Sequence, residues 1–234
     1  MERLDKVISN QLCLTRTESR RLIKIGKVYV NSTRAKAFDT KVCETDEITV
    51  NGEMLTFQKQ VYIMMNKPSG VVCDDKSSFP YAPHILPENL KRKDLFCVGR
   101  LDKDTTGLLL ITNDGEYAHN VISPKKNIKK RYRATLDSPI TDEGILAINK
   151  GLTLSDGTEL LPAQIEIISS DRKSVDFIIS EGKYHQIKRM AGAIDNKITS
   201  LERISIGKLE LAHDLSIGQA KQIDKDIAFS IFEN

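Results

Sequence analysis

Apolar residues at Leu4, Val7, Ile8 and Leu12 recur at the three- and four-residue spacing of one helix face, so the chain opens on an amphipathic helix. Thr15-Arg-Thr-Glu18 has the S/T-x-x-E form of a capping box and predicts a second helix, which Gly26 ends. Leu22, Ile23 and Ile25 supply its apolar contacts. The period then changes to two. Lys27-Val-Tyr-Val-Asn31 and Glu47-Ile-Thr-Val-Asn-Gly52 alternate and run into turn residues, as short strands do. Thr56-Phe-Gln-Lys-Gln60 is polar and free of strong period. It places a linker at 59–61, between a first domain at 1–58 and a second at 62–234.

In the second domain, Val61 to Asn66 reads as a strand and Lys67-Pro-Ser-Gly70 as the turn after it. Residues 74–97 read as loop, with three prolines and mixed charge. Gly107 to Thr112 is an apolar run between a glycine and Asn113-Asp114-Gly115, the pattern of a short buried strand entering a turn. Asp114 can cap a helix carrying Tyr117, Ala118, Val121 and Ile122, which Pro124 closes. A strand begins at Tyr132, and 141–151 reads as a capped helix with acids in its first turn. Strands follow at 163–168 and 174–179. Ile187, Met190, Ala191 and Ile194 have helical spacing, and 198–217 supplies the last strands around a turn at Gly207.

Composition narrows the class. The chain is 234 residues, 40% hydrophobic and 29% charged, which suits a folded core and excludes a disordered or fibrous chain. No apolar run approaches a bilayer span, and Met1-Glu-Arg-Leu-Asp-Lys6 puts charges where a signal peptide needs apolar residues. The expectation is a cytoplasmic protein with no membrane partner. Cys13, Cys43, Cys73 and Cys97 form no C-x-x-C pair, and the histidines are scattered, so reduced thiols and no metal site are expected.

The net charge of +3 permits nucleic-acid binding without arguing for it, so distribution decides. Arg16, Arg20 and Lys24 are four apart, with Lys27 just beyond and Arg21 beside them. This basic stripe has no acid except Glu18 at the cap, and such a row suits successive phosphates. Arg3, just before the preceding helix, and Lys6, on it, are further candidates. Lys125 to Arg133 holds six cations, no acid and one aromatic, Tyr132. It is either a solvated loop or a phosphate-tracking segment.

The stretch from Val98 to Thr106 is polar, carries Arg100, Asp102 and Asp104, and feeds the buried strand. Such a loop can hold a reactive side chain against a rigid scaffold, and the candidate reactive group is the Asp102 carboxylate. Taken alone, an Arg-Leu-Asp triplet reads as a capped turn with a salt bridge. Asp102 and Asp104 are also open to a reading as a glycosidase carboxylate pair.

The longer block decides between these. Gly99-Arg-Leu-Asp102-x-x-Thr105-x-Gly107-Leu-Leu-Leu-x-Thr-Asn-Asp-Gly115 resembles the catalytic motif of the pseudouridine synthases, specifically the RsuA branch that acts on bacterial ribosomal RNA. Asn66-Lys67-Pro68-x-Gly70 resembles a second motif, which puts Lys67 on the RNA side. Glu181-Gly-x-x-His185-Gln-x-Lys188-Arg189-Met190 resembles a third, whose basic residue pairs with the catalytic aspartate. By position that residue is Lys188, with Arg189 as its structural or RNA-side neighbour. Lys130 and Tyr132 match the site of the active tyrosine, with Arg131 where threonine is usual. Residues 1–58 resemble the S4 RNA-binding domain, with Ser32 in place of a usual glycine. Phe79 to His84 and Ala191 to Asn196 also depart from the pattern.

The resemblance implies an α+β fold, an S4-like helix and strand domain followed by a catalytic domain with a mixed, largely antiparallel central sheet. It implies isomerisation of uridine to pseudouridine, with Asp102, Tyr132 and Lys188 catalytic. RNA contacts would come from Arg3, Lys6, Arg16, Arg20, Arg21, Lys24, Lys27, Lys67, Arg100, Lys130 and Arg189. No cofactor is implied, and neither G-x-x-x-x-G-K-[ST] nor G-x-G-x-x-G occurs. The expected substrate is small-subunit 16S RNA at uridine 516, free or in an assembling particle, and the expected state is a monomer. A large-subunit 23S paralogue and a non-catalytic S4-type assembly factor are the alternatives.

Overall fold

In the computed structural model, which describes residues 1–233, the opening apolar period folds as helix α1 (Leu4–Gln11). Leu4, Val7 and Ile8 are buried, and the amides of Leu4 and Asp5 donate to the carbonyls of Thr40 and Phe38 in place of a side-chain cap. Helix α2 (Arg16–Lys24) starts in the expected capping box. The Thr15 hydroxyl accepts from the Glu18 amide at 3.2 Å, and the Glu18 carboxylate accepts from the Thr15 amide at 2.7 Å. At its end the Lys27 amide donates to the Leu22 carbonyl and the Gly26 amide to that of Ile23, with Gly26 at φ +77°. This stop leaves Ile25 beyond the helix and 55% exposed, so Ile23 alone of the three expected apolar contacts is fully buried.

Strands β1 (Val28–Val30), β2 (Thr33–Arg34), β3 (Ile48–Val50) and β4 (Glu53–Leu55) form an antiparallel sheet in the order β2-β1-β3-β4. Leu4, Ile8, Ile23, Val28, Val42, Ile48 and Phe57 make its core with the helices. Phe57 anchors the polar stretch that read as periodless.

The chain divides into two compact units. The first is Met1–Val61 with Leu86–Phe96, so a piece of the long proline-containing stretch groups with the N-terminal residues. Its ties are polar and close. The Lys93 amide donates to the Asn10 carbonyl at 3.0 Å, the Asn10 amide group to Asp94 at 3.0 Å, and Arg92 to the Gln58 carbonyl at 2.6 Å.

The basic stripe is not acid-free in three dimensions. Asp5 of α1 is fully buried and collects Arg16 at 2.6 Å, Arg20 at 2.9 Å and Arg3 at 3.1 Å. Burial works against its charge, but hydrogen bonds from Arg3 and Arg20 and the nearby charge of Arg16 outweigh it and hold the carboxyl at about 2.

The second unit is Tyr62–Ile85 with Cys97 onward. Its strands are β5 (Tyr62–Lys67), β6 (Thr106–Thr112), β7 (Lys130–Leu136), β8 (Gln164–Ile167), β9 (Ser174–Ile179), β10 (Ile198–Ile206) and β11 (Ala220–Ile223). They run in the order β8-β9-β7-β10-β6-β5-β11, with short strands added at β6 and β10. Only the β10–β6 pair among the described strands is parallel, so the sheet is mixed and largely antiparallel, as expected. Gly107 makes that pair possible. At φ +96°, any Cβ there would lie 2.4 Å from the Arg203 carbonyl oxygen.

Helices α3 (Gly115–Ile122) and α4 (Asp142–Lys150) begin at the predicted caps, Asp114 and Thr141. Helix α5 (Gln186–Ala193) follows β9, and a final short helix, α6 (Lys225–Phe229), lies past the last predicted strands. Among the described residues, no helix is long and apolar enough to cross a membrane.

Because Asp5 has its pKa depressed from an ordinary 3.8 to about 2, its contacts are complete above about pH 4 and are lost as pH falls toward 2. Asp5→Asn should destabilise the chain by about 1–3 kcal/mol at neutral pH in denaturant titrations, the three arginines being partly exposed. The variant should also lose less stability than the parent between pH 4 and pH 2.

Candidate active site

Asp102 lies in a turn just before β6, closed by a 3.1 Å hydrogen bond from the Thr105 amide to the Asp102 carbonyl. Neighbouring backbone braces this turn. The Gly70 amide donates to the Lys103 carbonyl at 2.8 Å, and the Leu101 amide points at the Cys73 sulfur at 3.4 Å. Lys67 supplies the third brace. Its ammonium donates to the carbonyls of Val71 at 2.7 Å, Pro68 at 3.0 Å and Lys103 at 3.3 Å. Lys67 is fully buried at the end of β5, and burial pushes its pKa below the usual lysine range. The expectation that Lys67 meets RNA is therefore corrected: three backbone carbonyls take up its ammonium inside the protein.

Lys188, in the first turn of α5, places its ammonium 3.0 Å from Asp102 and 2.5 Å from Asp104. Burial disfavours its charge, but hydrogen bonds to Asp104 and then Asp102 outweigh that and raise its pKa. The same bond from Lys188 holds the Asp104 carboxyl below the usual range. A glycosidase acid must instead be held protonated, so Asp104 is unsuited to that partnership with Asp102.

Tyr132 projects from β7 and is 8% exposed. Together with Asp102, Lys188, Arg100, Thr105 and His185 it lines one cleft, whose apolar wall includes Ile179, Ile187 and Leu201. The cleft thus combines an anchored carboxylate, a cation neutralising it, and an aromatic ring among aliphatic side chains. It suits a flat, neutral base presented edge-on to a carboxylate.

The structure brings Asp102, Tyr132, Lys188 and Arg100 to one cleft and leaves other candidates outside it. Arg189 pairs with Asp156. Lys130 donates to the Ile128 carbonyl at 3.1 Å, and burial pushes its pKa down to about 8. Arg131 and Arg133 of the cationic run both pair with buried Asp176, at 3.4 Å and 2.8 Å, which removes them from a phosphate-tracking role.

In the first unit, Arg3, Arg16 and Arg20 are tied to Asp5, Lys6 pairs with Glu2 at 2.9 Å, and Lys27 is exposed. Arg20, Arg21 and Lys24 line a groove with Arg34, Lys36 and Phe38. Phe38 is 45% exposed, with the Arg20 guanidinium 4.8 Å from its ring centroid.

Several of these residues were not singled out from sequence. His185 has its Nε2 3.6 Å from Asp102, and its ring stacks on Tyr184 at 3.8 Å. It stood inside a matched motif without a role. Arg34 ends a two-residue strand and Lys36 and Phe38 follow it in irregular chain, too short a stretch for any period to mark them. Arg203 gave no signal at all.

Lys67→Met should cost about 1–3 kcal/mol in thermal or denaturant unfolding, because it strands buried carbonyls, and should leave RNA affinity unchanged. A weakened RNA affinity with unchanged stability would return Lys67 to the RNA surface.

Comparison with known families and proteins agrees with this geometry. The RNA pseudouridylate synthase family matches residues 61–193, and the S4 domain family matches residues 2–48. A protein of Vibrio cholerae named ribosomal small subunit pseudouridine synthase A is 40% identical over 232 residues, 99% of this chain and 100% of that protein. An uncharacterized RNA pseudouridine synthase of Bacillus subtilis is 37% identical over 96% of this chain and 95% of its own length. A crystal structure of a pseudouridylate synthase superposes with a TM-score of 0.69 at 34% identity, covering 99% of this chain and 100% of that one. With its cleft and its full-length relatives in agreement, this chain belongs to the RNA pseudouridylate synthase family and carries an S4 domain at its N-terminal side.

Proposed function

We propose that the chain converts one uridine of small-subunit ribosomal RNA to pseudouridine, uridine 516 of 16S RNA, acting as a monomer on free RNA or an assembling particle. The observation that carries this reading is the meeting of Asp102, Lys188 and Tyr132 in one cleft, with Lys188 3.0 Å from Asp102. The names of the full-length relatives support the small subunit as the target. An RNA of that kind would place the enzyme in the cytoplasm.

The reaction breaks the bond from ribose to uracil N1 and makes one from the same ribose carbon to C5, while the C5 proton is given up and N1 gains one. Atoms and electrons balance within the nucleotide, so no second substrate is needed. Asp102 is the group that reacts, as nucleophile or base. Lys188, 3.0 Å away, holds it by an ion pair at a fixed angle. Tyr132 receives the base once it has left its stack. The cationic groove of the first unit, with exposed Phe38, holds the RNA backbone.

Pseudouridine mapping of both ribosomal RNAs, after incubation with the protein and with Asp102→Asn, tests the reading. A new small-subunit site absent with the variant is expected. A large-subunit site would keep the chemistry and replace the substrate, and no site despite RNA binding would favour an assembly factor. Lys188→Met should slow turnover on the order of 100-fold or more. Arg21→Ala with Lys24→Ala should leave single-turnover chemistry intact and make the salt dependence of RNA affinity shallower, by about one counterion per residue.

A further inference from the structure

Arg203 of β10 is 3% exposed, and no described carboxylate pairs with it. Its Nε donates to the Leu108 carbonyl of β6 at 2.8 Å, and its Nη1 donates to the Tyr132 hydroxyl at 3.4 Å. The guanidinium carbon stands 5.9 Å from the Tyr132 ring centroid, and the buried Nη2 has no partner among the described residues. In the sheet, Arg203 sits opposite Tyr132 on one side and opposite Gly107 on the other. One residue therefore spans from the strand that follows the Asp102 turn to the strand that carries Tyr132.

A buried charge without an acid costs free energy that a leucine or methionine in the same space would not. The neighbourhood adds a second cation, and what offsets Arg203 in part is a thiol, Cys73, held down to about 6 chiefly by its hydrogen bond with Cys97. Lys130, two residues before Tyr132, is pushed down to about 8 by burial together with the charge of Arg203. Filling the core does not explain a guanidinium here. Its geometry does: a planar fork can grip a carbonyl on one strand and a phenol on the next at a fixed separation, which an ammonium or a hydrocarbon cannot.

We propose that Arg203 is a positioning residue that fixes the Tyr132 phenol against β6, and so sets the ring relative to Asp102. This rests on the reading of Tyr132 as the group that receives the flipped base. The side chain acts through Tyr132 and does not itself line the cleft.

The test is a double-mutant cycle on unmodified 16S ribosomal RNA transcript, read as single-turnover rate with saturating protein, with RNA affinity and melting temperature measured alongside. Arg203→Met and Tyr132→Phe should each slow the reaction on the order of tenfold, with affinity unchanged. The double variant should be no slower than the slower single, because both changes break the same contact. Rates that multiply in the double variant would overturn the proposal, as would a wild-type rate for Arg203→Met. If Tyr132→Phe is fully active while Tyr132→Ala is not, the ring keeps its role and the proposal fails. If both are fully active, the reading of Tyr132 fails and takes this proposal with it. An inactive parent chain would do the same. Should Arg203→Met not fold, Arg203→Lys takes its place in the cycle. It keeps the charge but loses the fork, so the same non-additive loss is expected, and a wild-type rate would overturn the proposal.

Discussion

The contact between Lys188 and Asp102 is useful only if neither partner can drift, and most of the second unit bears on that condition. Asp102 sits on a turn, the least constrained kind of backbone. Here the turn is pinned from below by the Lys67 ammonium and the Gly70 amide, both bonded to the Lys103 carbonyl. It is pinned ahead by β6, whose parallel pairing with β10 requires Gly107. Lys188 in turn rides on α5, whose Ile187, Met190 and Ala191 are buried. Two ionic groups from distant parts of the chain thus meet because each is mounted on packed hydrocarbon.

The same economy recurs away from the cleft. Asp5 and Asp176 are fully buried carboxylates that each gather arginines whose own side chains stay partly exposed. A buried acid with several cations around it is well compensated, whereas loss of the acid would leave like charges crowded together. In the first unit this arrangement holds Arg16 and Arg20 at set positions along α2. In the second it takes Arg131 and Arg133 out of circulation.

Elements with a local physical cause were readable in the sequence. The capping box at Thr15, the caps at Asp114 and Thr141, the stop at Gly26 and the strand from Gly107 all come from spacings of a few residues. Asp102, Tyr132 and Lys188 were singled out through motifs, and the cleft that joins them is a matter of sheet order, which no local pattern encodes. What escaped was the sign of burial for charged residues. Lys67, Asp5 and Arg203 look like surface residues in a sequence, because a charge goes inside only where distant partners await it. Lys67 was placed on the wrong side of the backbone for that reason.

The two units are interleaved along the chain, with Leu86–Phe96 belonging to the first and the residues on either side of it to the second. On a ribosome the first unit cannot complete its contacts until residue 96 has emerged, by which time β5 has already been made. Strand β5 then waits for both of its neighbours, β6 at 106–112 and β11 at 220–223. The edge facing β11 therefore stays unpaired for most of synthesis, so the stretch that later braces the Asp102 turn also needs protection from misassociation while the chain is being born.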